Sequence, residues 1–154
     1  MKSWCRDGLT LIELLVVVAI LAVLATVVFV ALNPTKRFTD ARNSRRYSDV
    51  ETILTAVHEY AVDGGGALPT GITTSEKQLG SCTAGGAALC SGAADACLDL
   101  SGGTLLGKYL KTIPVDPQQA AATTTTGYSV VVDTNGIVTV KSCSAEGITI
   151  TASR

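Results

Sequence analysis

Glu13 is the side chain in this sequence whose chemistry most needs explaining, because it stands at the head of an apolar run. From Leu14 to Leu32 there are 19 residues without a charge, which as a helix would reach about 28 Å, close to the ~30 Å hydrocarbon layer of a bilayer. A carboxylate in such a segment costs about 2.5–3.5 kcal/mol at the helix centre and less near its end, so an acid kept there calls for a partner or a function. The run itself supplies no basic residue.

The other residues with chemical potential are thiols and scattered acids. Of five cysteines, Cys5 lies before the apolar run, and Cys82, Cys90, Cys97 and Cys143 lie after it. In a small exported domain four cysteines read as two disulfides with three connectivities open; we take Cys82–Cys90 with Cys97–Cys143 as the expected pairing. Without a Cys-x-x-Cys and with His58 as the single histidine, the chain lacks the spacing of a zinc site. His58 follows no nucleophile pattern and reads as a surface or boundary residue. The Gly-Gly pairs lack the strand-to-helix context and the lysine of a phosphate loop, and no Ser/His/acid or paired-carboxylate constellation stands out. The sequence therefore does not read as an enzyme.

Gly8, the hydrophobic Leu9 after it, and a glutamate five positions into the segment beginning at Leu9 resemble the class III signal and first helix of type IV pilins and the pseudopilins of type II secretion. The likeness covers Gly8 to about Leu32. It implies that a membrane-embedded aspartyl peptidase, the prepilin peptidase, cuts after Gly8 and methylates the new terminus at Leu9. Cutting creates an ammonium that can neutralise Glu13 of a neighbouring subunit inside an apolar filament core. A secretory signal peptide has a shorter apolar region, with its cleavage site at the far end.

Asn33-Pro34 interrupts the long helix, with Pro34 as the breaking residue because it lacks an N–H and clashes with the preceding turn. Beyond it Val50, Ile53, Leu54, Val57, Tyr60 and Ala61 recur at helical spacing as one apolar stripe, with Arg45, Arg46, Asp49, Glu51 and Glu59 on the wet side. Gly64-Gly65-Gly66 ends the helix. Residues 64–104 are rich in Gly, Ala, Ser, Thr and Cys and read as a long loop held by disulfides. The segment Leu110-x-x-x-Pro114-x-Asp116-Pro117 resembles the approach to the sheet in major pseudopilins. Residues 128–132 and 137–141 are β-rich runs joined by Asp133-Thr134-Asn135-Gly136, and residues 148–151 suit a third strand. Asp116, Asp133 and Asn135 offer hard oxygen ligands for calcium, which the pseudopilin resemblance favours; a tight turn is the simpler role for the last two, and no other cofactor is expected.

Net charge is formally −1, which argues against bulk nucleic-acid binding. Lys36, Arg37, Arg42, Arg45 and Arg46 cluster just past the apolar run and outnumber Lys2 and Arg6 before it, so a positive-inside count would leave the carboxyl-terminal domain in the cytoplasm. The class III signal and the four distal cysteines point to export instead. The basic cluster reads as a solvated face partly matched by Asp40 and Asp49, or as a surface for acidic patches of neighbours or for polyanions such as DNA.

The expectation is an α+β chain: leader 1–8, transmembrane and assembly half-helix 9–32, second half-helix 33–63, stapled loop 64–104, and a small antiparallel sheet with the carboxyl terminus over 105–154. Ala19, Ala22 and Thr26 give the first half-helix small residues for close approach. The resemblance implies a structural subunit stored in the cytoplasmic membrane as a single-pass protein and then polymerised into a cell-surface filament. Its partners would be identical subunits, the prepilin peptidase, the assembly platform and the inner membrane. The alternatives are a type II secretion pseudopilin, or a minor pilin that binds a surface ligand or DNA.

Overall fold

The computed structural model describes residues 8–101, 106–119 and 124–154, in two compact units, one ending at Phe38 and one running from Thr39 to Arg154. Residues 1–7 of the expected leader 1–8, and the boundary at 104–105, lie outside the described residues.

In the first unit, helix α1 spans Leu11–Leu32, 22 residues that would reach about 33 Å. Every one of them is exposed. With apolar residues on all sides the helix has no wet face, which marks it as a helix for a non-aqueous environment or for burial by other chains. Asn33 closes α1 in the left-handed conformation, φ 38° and ψ 74°, and helix α2 starts at Pro34 and runs to Asp63. The break is thus centred one residue before the proline. A residue preceding proline is pushed out of the right-handed helical region, and asparagine is among the few non-glycine residues that tolerate positive φ. Asn33 then serves both helices, since its Oδ1 accepts from the Lys36 N–H at 3.4 Å while Pro34 occupies a position where a missing N–H costs nothing.

In the second unit, α2 buries Asn43, Arg46, Val50, Ile53, Leu54, Ala56 and Val57. These recur three or four positions apart and so share one face. That face joins Leu79, Leu100, Leu106, Tyr128, Val130, Val138, Val140 and Ile150 in a single apolar core. Each large aliphatic or aromatic side chain closed off there contributes about 1.5–3 kcal/mol. The sheet has five strands, β1 (Lys77–Gly80), β2 (Ala94–Leu98), β3 (Thr125–Val132), β4 (Val138–Ser142) and β5 (Thr151–Ser153), in the order β2-β1-β3-β4-β5. The hairpin β3–β4 pairs Val130 with Val140 and Val132 with Val138, which sets these four valines on the core side while Val131, opposite Thr139, faces the other way.

Two expectations need correction. The sheet is mixed rather than antiparallel, because β1 and β2 run parallel. Both strands, together with the short helix α3 (Gly86–Leu89), come from the stretch read as loop. That stretch has few large apolar residues, but Leu79 and Leu100 are completely buried, and pairing to β3 is a main-chain affair that asks little of side chains. The third carboxyl-terminal strand begins at Thr151, with Ile150 in the core just before it.

Candidate functional site

The amino-terminal junction is built by Thr10. In extended conformation, φ −79° and ψ 151°, it caps α1: its hydroxyl accepts from the Glu13 N–H at 3.3 Å, while its own N–H and hydroxyl donate to Glu13 Oε2 at 2.8 and 2.7 Å. This is a capping box, Thr-x-x-Glu. Glu13 therefore has local donors even though the run offers no cation. Thr10-x-x-Glu13 ahead of an apolar run is the sequence signature of this box, and it assigns Glu13 a local role that its place in the apolar run does not reveal. The helix starts two residues past Leu9, so the Gly8–Leu9 bond sits in exposed, non-helical chain, the form in which backbone is open to proteolysis.

The basic cluster separates into two sets. Arg46, expected on the wet side, is completely buried. Its Nε and Nη2 donate to Asp116 Oδ2 and Oδ1 at 2.7 and 3.1 Å, its Nη1 to Glu146 Oε2 at 2.9 Å, and its Nη2 also to Gln118 Oε1 at 2.6 Å. Arg42 makes a two-pronged pair with Glu146, both bonds 2.7 Å, and Asn43 Nδ2 donates to the Glu146 carbonyl at 2.9 Å. Arg42 and Arg46 hold the Glu146 carboxyl down at about 2, well below the usual carboxylate range. Two of the five cations thus tie α2 to the approach to β3 and to the β4–β5 connection, leaving Lys36, Arg37 and Arg45 exposed. Asp49, also expected on the wet side, accepts from the Tyr128 hydroxyl at 2.7 Å, and burial with this carboxylate pushes that hydroxyl far above its ordinary range.

Gly127 makes room for the Asp116 arm of this network. Its φ is +82°, and a Cβ there would stand 2.8 Å from the Asp116 Cβ. The Asp116 N–H donates to Thr126 O at 2.8 Å, locking the Pro114–Pro117 approach onto the start of β3. Asp133 lies at the other end of that strand, about 20 Å away at strand rise. The structure does not bring the three calcium candidates together: the Asp116 carboxylate is occupied by Arg46, whereas Asp133 Oδ1 accepts from the N–H groups of Asn135 and Ile137, both at 2.8 Å. Those donors, Ile137 first, lower the Asp133 pKa, and the turn is a hydrogen-bonded Asx turn. His58 is half-buried on α2, and its Nε2 has no partner among the described residues.

All four distal cysteines are bridged, but the pairing is Cys82–Cys97 and Cys90–Cys143, not the one expected. The parallel pairing of β1 with β2 instead carries Cys97, on β2, to the residues just after β1, where its N–H donates to the Cys82 carbonyl at 2.9 Å. Cys90, which caps α3, is left to clamp that helix to Cys143 after β4.

Residues 5–29 match the family model described as the prokaryotic N-terminal methylation motif. No curated protein and no solved structure matches the chain significantly. The motif, which takes in Gly8, Leu9, Glu13 and most of α1, and the length and apolarity of that helix fit membrane anchoring. The amino-terminal segment of this chain carries the methylation motif that marks the class III signal peptide of type IV pilins and pseudopilins.

Proposed function

We propose that this chain is a structural subunit of a type IV pilus-like filament, cut after Gly8 by the prepilin peptidase, methylated at Leu9 and polymerised through α1. The observation that carries the reading is that α1 has 22 apolar-dominated residues and buries none of them within its own chain. A bilayer satisfies such a helix before assembly and a bundle of identical helices satisfies it afterwards. The second unit has its own apolar core and two disulfides, which suits a domain displayed on a filament surface.

In this reading Glu13 is an assembly residue. Before processing, its carboxylate is satisfied by Thr10; after processing, the Leu9 ammonium of a neighbour offers a full charge in the same apolar setting, where ion pairing is strong. The subunit would move from the cytoplasmic membrane to the filament with the help of an assembly platform.

Intact-mass measurement of sheared surface filaments tests the proposal. The expected subunit begins at Leu9, carries one added methyl group, and contains no tryptophan, because Trp4 leaves with the leader. A surface fraction that retains Met1 to Gly8, or a processed chain that never enters a filament, would overturn it.

A further inference from the structure

The solvent side of α2 is charged unequally along its length. Arg45 is exposed near its start and Glu51 and Glu59 are exposed further on. Arg45 precedes Glu59 by 14 positions. Fourteen residues of helix rise about 21 Å and come within about 40° of a whole number of turns, so Arg45 and Glu59 lie on one stripe. Glu51 and Glu59 also line an open groove of about 320 Å³, walled by Thr52, Thr55, Tyr109 and Leu110.

The stripe between these charges offers little to bind anything but a flat surface. Ser44 and Thr52 turn their hydroxyls back onto Asp40 O and Ser48 O at 2.9 and 2.7 Å. The charges at its ends are less settled. Arg45 keeps 62% of its side-chain exposure and reaches only Asp49, at 3.8 Å, an exposed contact of small value. No ion pair among the described residues involves Glu51 or Glu59.

We propose that this stripe is a contact surface for a second copy of the chain, parallel and displaced by about 21 Å along the helix, with Arg45 of one copy in the acidic groove at Glu59 of the other. The parallel direction rests on the filament reading, in which both copies are anchored through α1 in one membrane. Charge matching alone would also allow an antiparallel pair to set Arg45 against Glu59; common anchoring through α1 is what rules that direction out. Opposed charges at fixed spacing select the register, and the small residues between them allow close approach.

The test uses the full chain in its membrane, with Arg45→Lys to keep the charge and supply an amine. Zero-length carbodiimide coupling of mixed isotopically light and heavy chains should give a light–heavy peptide joining Lys at position 45 to Glu59, a link that a single helix cannot make across about 21 Å. Separately, Arg45→Glu or Glu59→Arg should lower sheared-filament yield about tenfold or more, and the double reversal should restore it to within about twofold, as expected of two residues coupled in one contact. A light–heavy link from position 45 to Glu51, absence of the Glu59 link, or failure of the double reversal to restore yield would overturn the proposal. If the Glu59 link forms in membranes that yield no filament, the contact stands and the filament reading falls. If filaments form without the link and tolerate both reversals, the filament reading stands and the contact falls.

Discussion

Arg46 and Asp116, 70 positions apart, meet through two hydrogen bonds of 2.7 and 3.1 Å with both side chains completely withdrawn from solvent. This pair ties α2 to the approach to β3. Truncating one partner would leave the other charge buried and uncompensated, at a cost of about 3–5 kcal/mol, whereas replacing both with apolar residues of similar volume is often neutral. Asp116→Ala should therefore lower the unfolding midpoint of the detergent-solubilised chain sharply, and Arg46→Met with Asp116→Leu should recover most of the loss. Urea titration of the three proteins checks this, and a double variant as weak as the single one would show that the pair sets geometry as well as stability.

Glu146 gives that network a pH window. Its carboxyl is lowered from 4.5 to about 2 by Arg42 first and Arg46 second. A group with a depressed folded pKa contributes stability above its unfolded value and loses it as pH falls through the folded one. The contribution should be whole above about pH 4.5 and vanish toward pH 2. Glu146→Gln should lower stability at neutral pH and flatten its dependence between those values; parallel dependence in both proteins would remove Glu146 from the account.

How much of this could be read from the chain differs by region. The helices were legible because α1 is uniformly apolar and the stripe Val50, Ile53, Leu54, Val57 repeats at helical spacing. The hairpin was legible because Asn135-Gly136 sits between two β-branched runs. The mixed sheet was not, since Leu79 and Leu98 belong to strands of four and five residues, too short to show a period. Nor was the role of Glu146, because a salt bridge spanning 104 positions leaves no local trace. Arg46 looked solvated for the same reason: periodicity places a residue on a face, but only the fold shows that a buried acid waits there. At the amino terminus the opposite holds, since Gly8, Leu9, Thr10 and Glu13 form a site within six residues and the sequence displays all of it.

The disulfides make a separate prediction. Digestion without reduction should release peptides joining Cys82 to Cys97 and Cys90 to Cys143, and no thiol among the four should alkylate before reduction. In a chain-entropy account the second bridge, closing 53 positions, is worth about 4 kcal/mol and the first, closing 15, about 3 kcal/mol. Removing Cys90 and Cys143 together should thus destabilise more than removing Cys82 and Cys97 together, as read by thermal unfolding. The reverse order would indicate that the short bridge holds β1 against β2 in a way loop closure does not capture.

The last prediction separates two duties of Glu13. In the structure its carboxylate completes a capping box with Thr10, and glutamine can fill that role as well as glutamate. Glu13→Gln therefore keeps the cap and removes only the charge that the Leu9 ammonium of a neighbour would answer. A close charge pair buried away from water is costly to break from one side, about 3–5 kcal/mol, and the loss recurs at each subunit junction. A neutral glutamine also burdens a membrane helix less than a carboxylate does. Thr10→Val does the converse, removing the cap at a cost of about 1 kcal/mol and leaving the charge. In cells lacking the wild-type subunit, Glu13→Gln should hold its membrane pool and lose sheared filament, while Thr10→Val should lose only part of its filament yield. Normal filament from Glu13→Gln would reduce Glu13 to a capping residue, and equal losses from both variants would mean that the start of α1, rather than its charge, governs assembly.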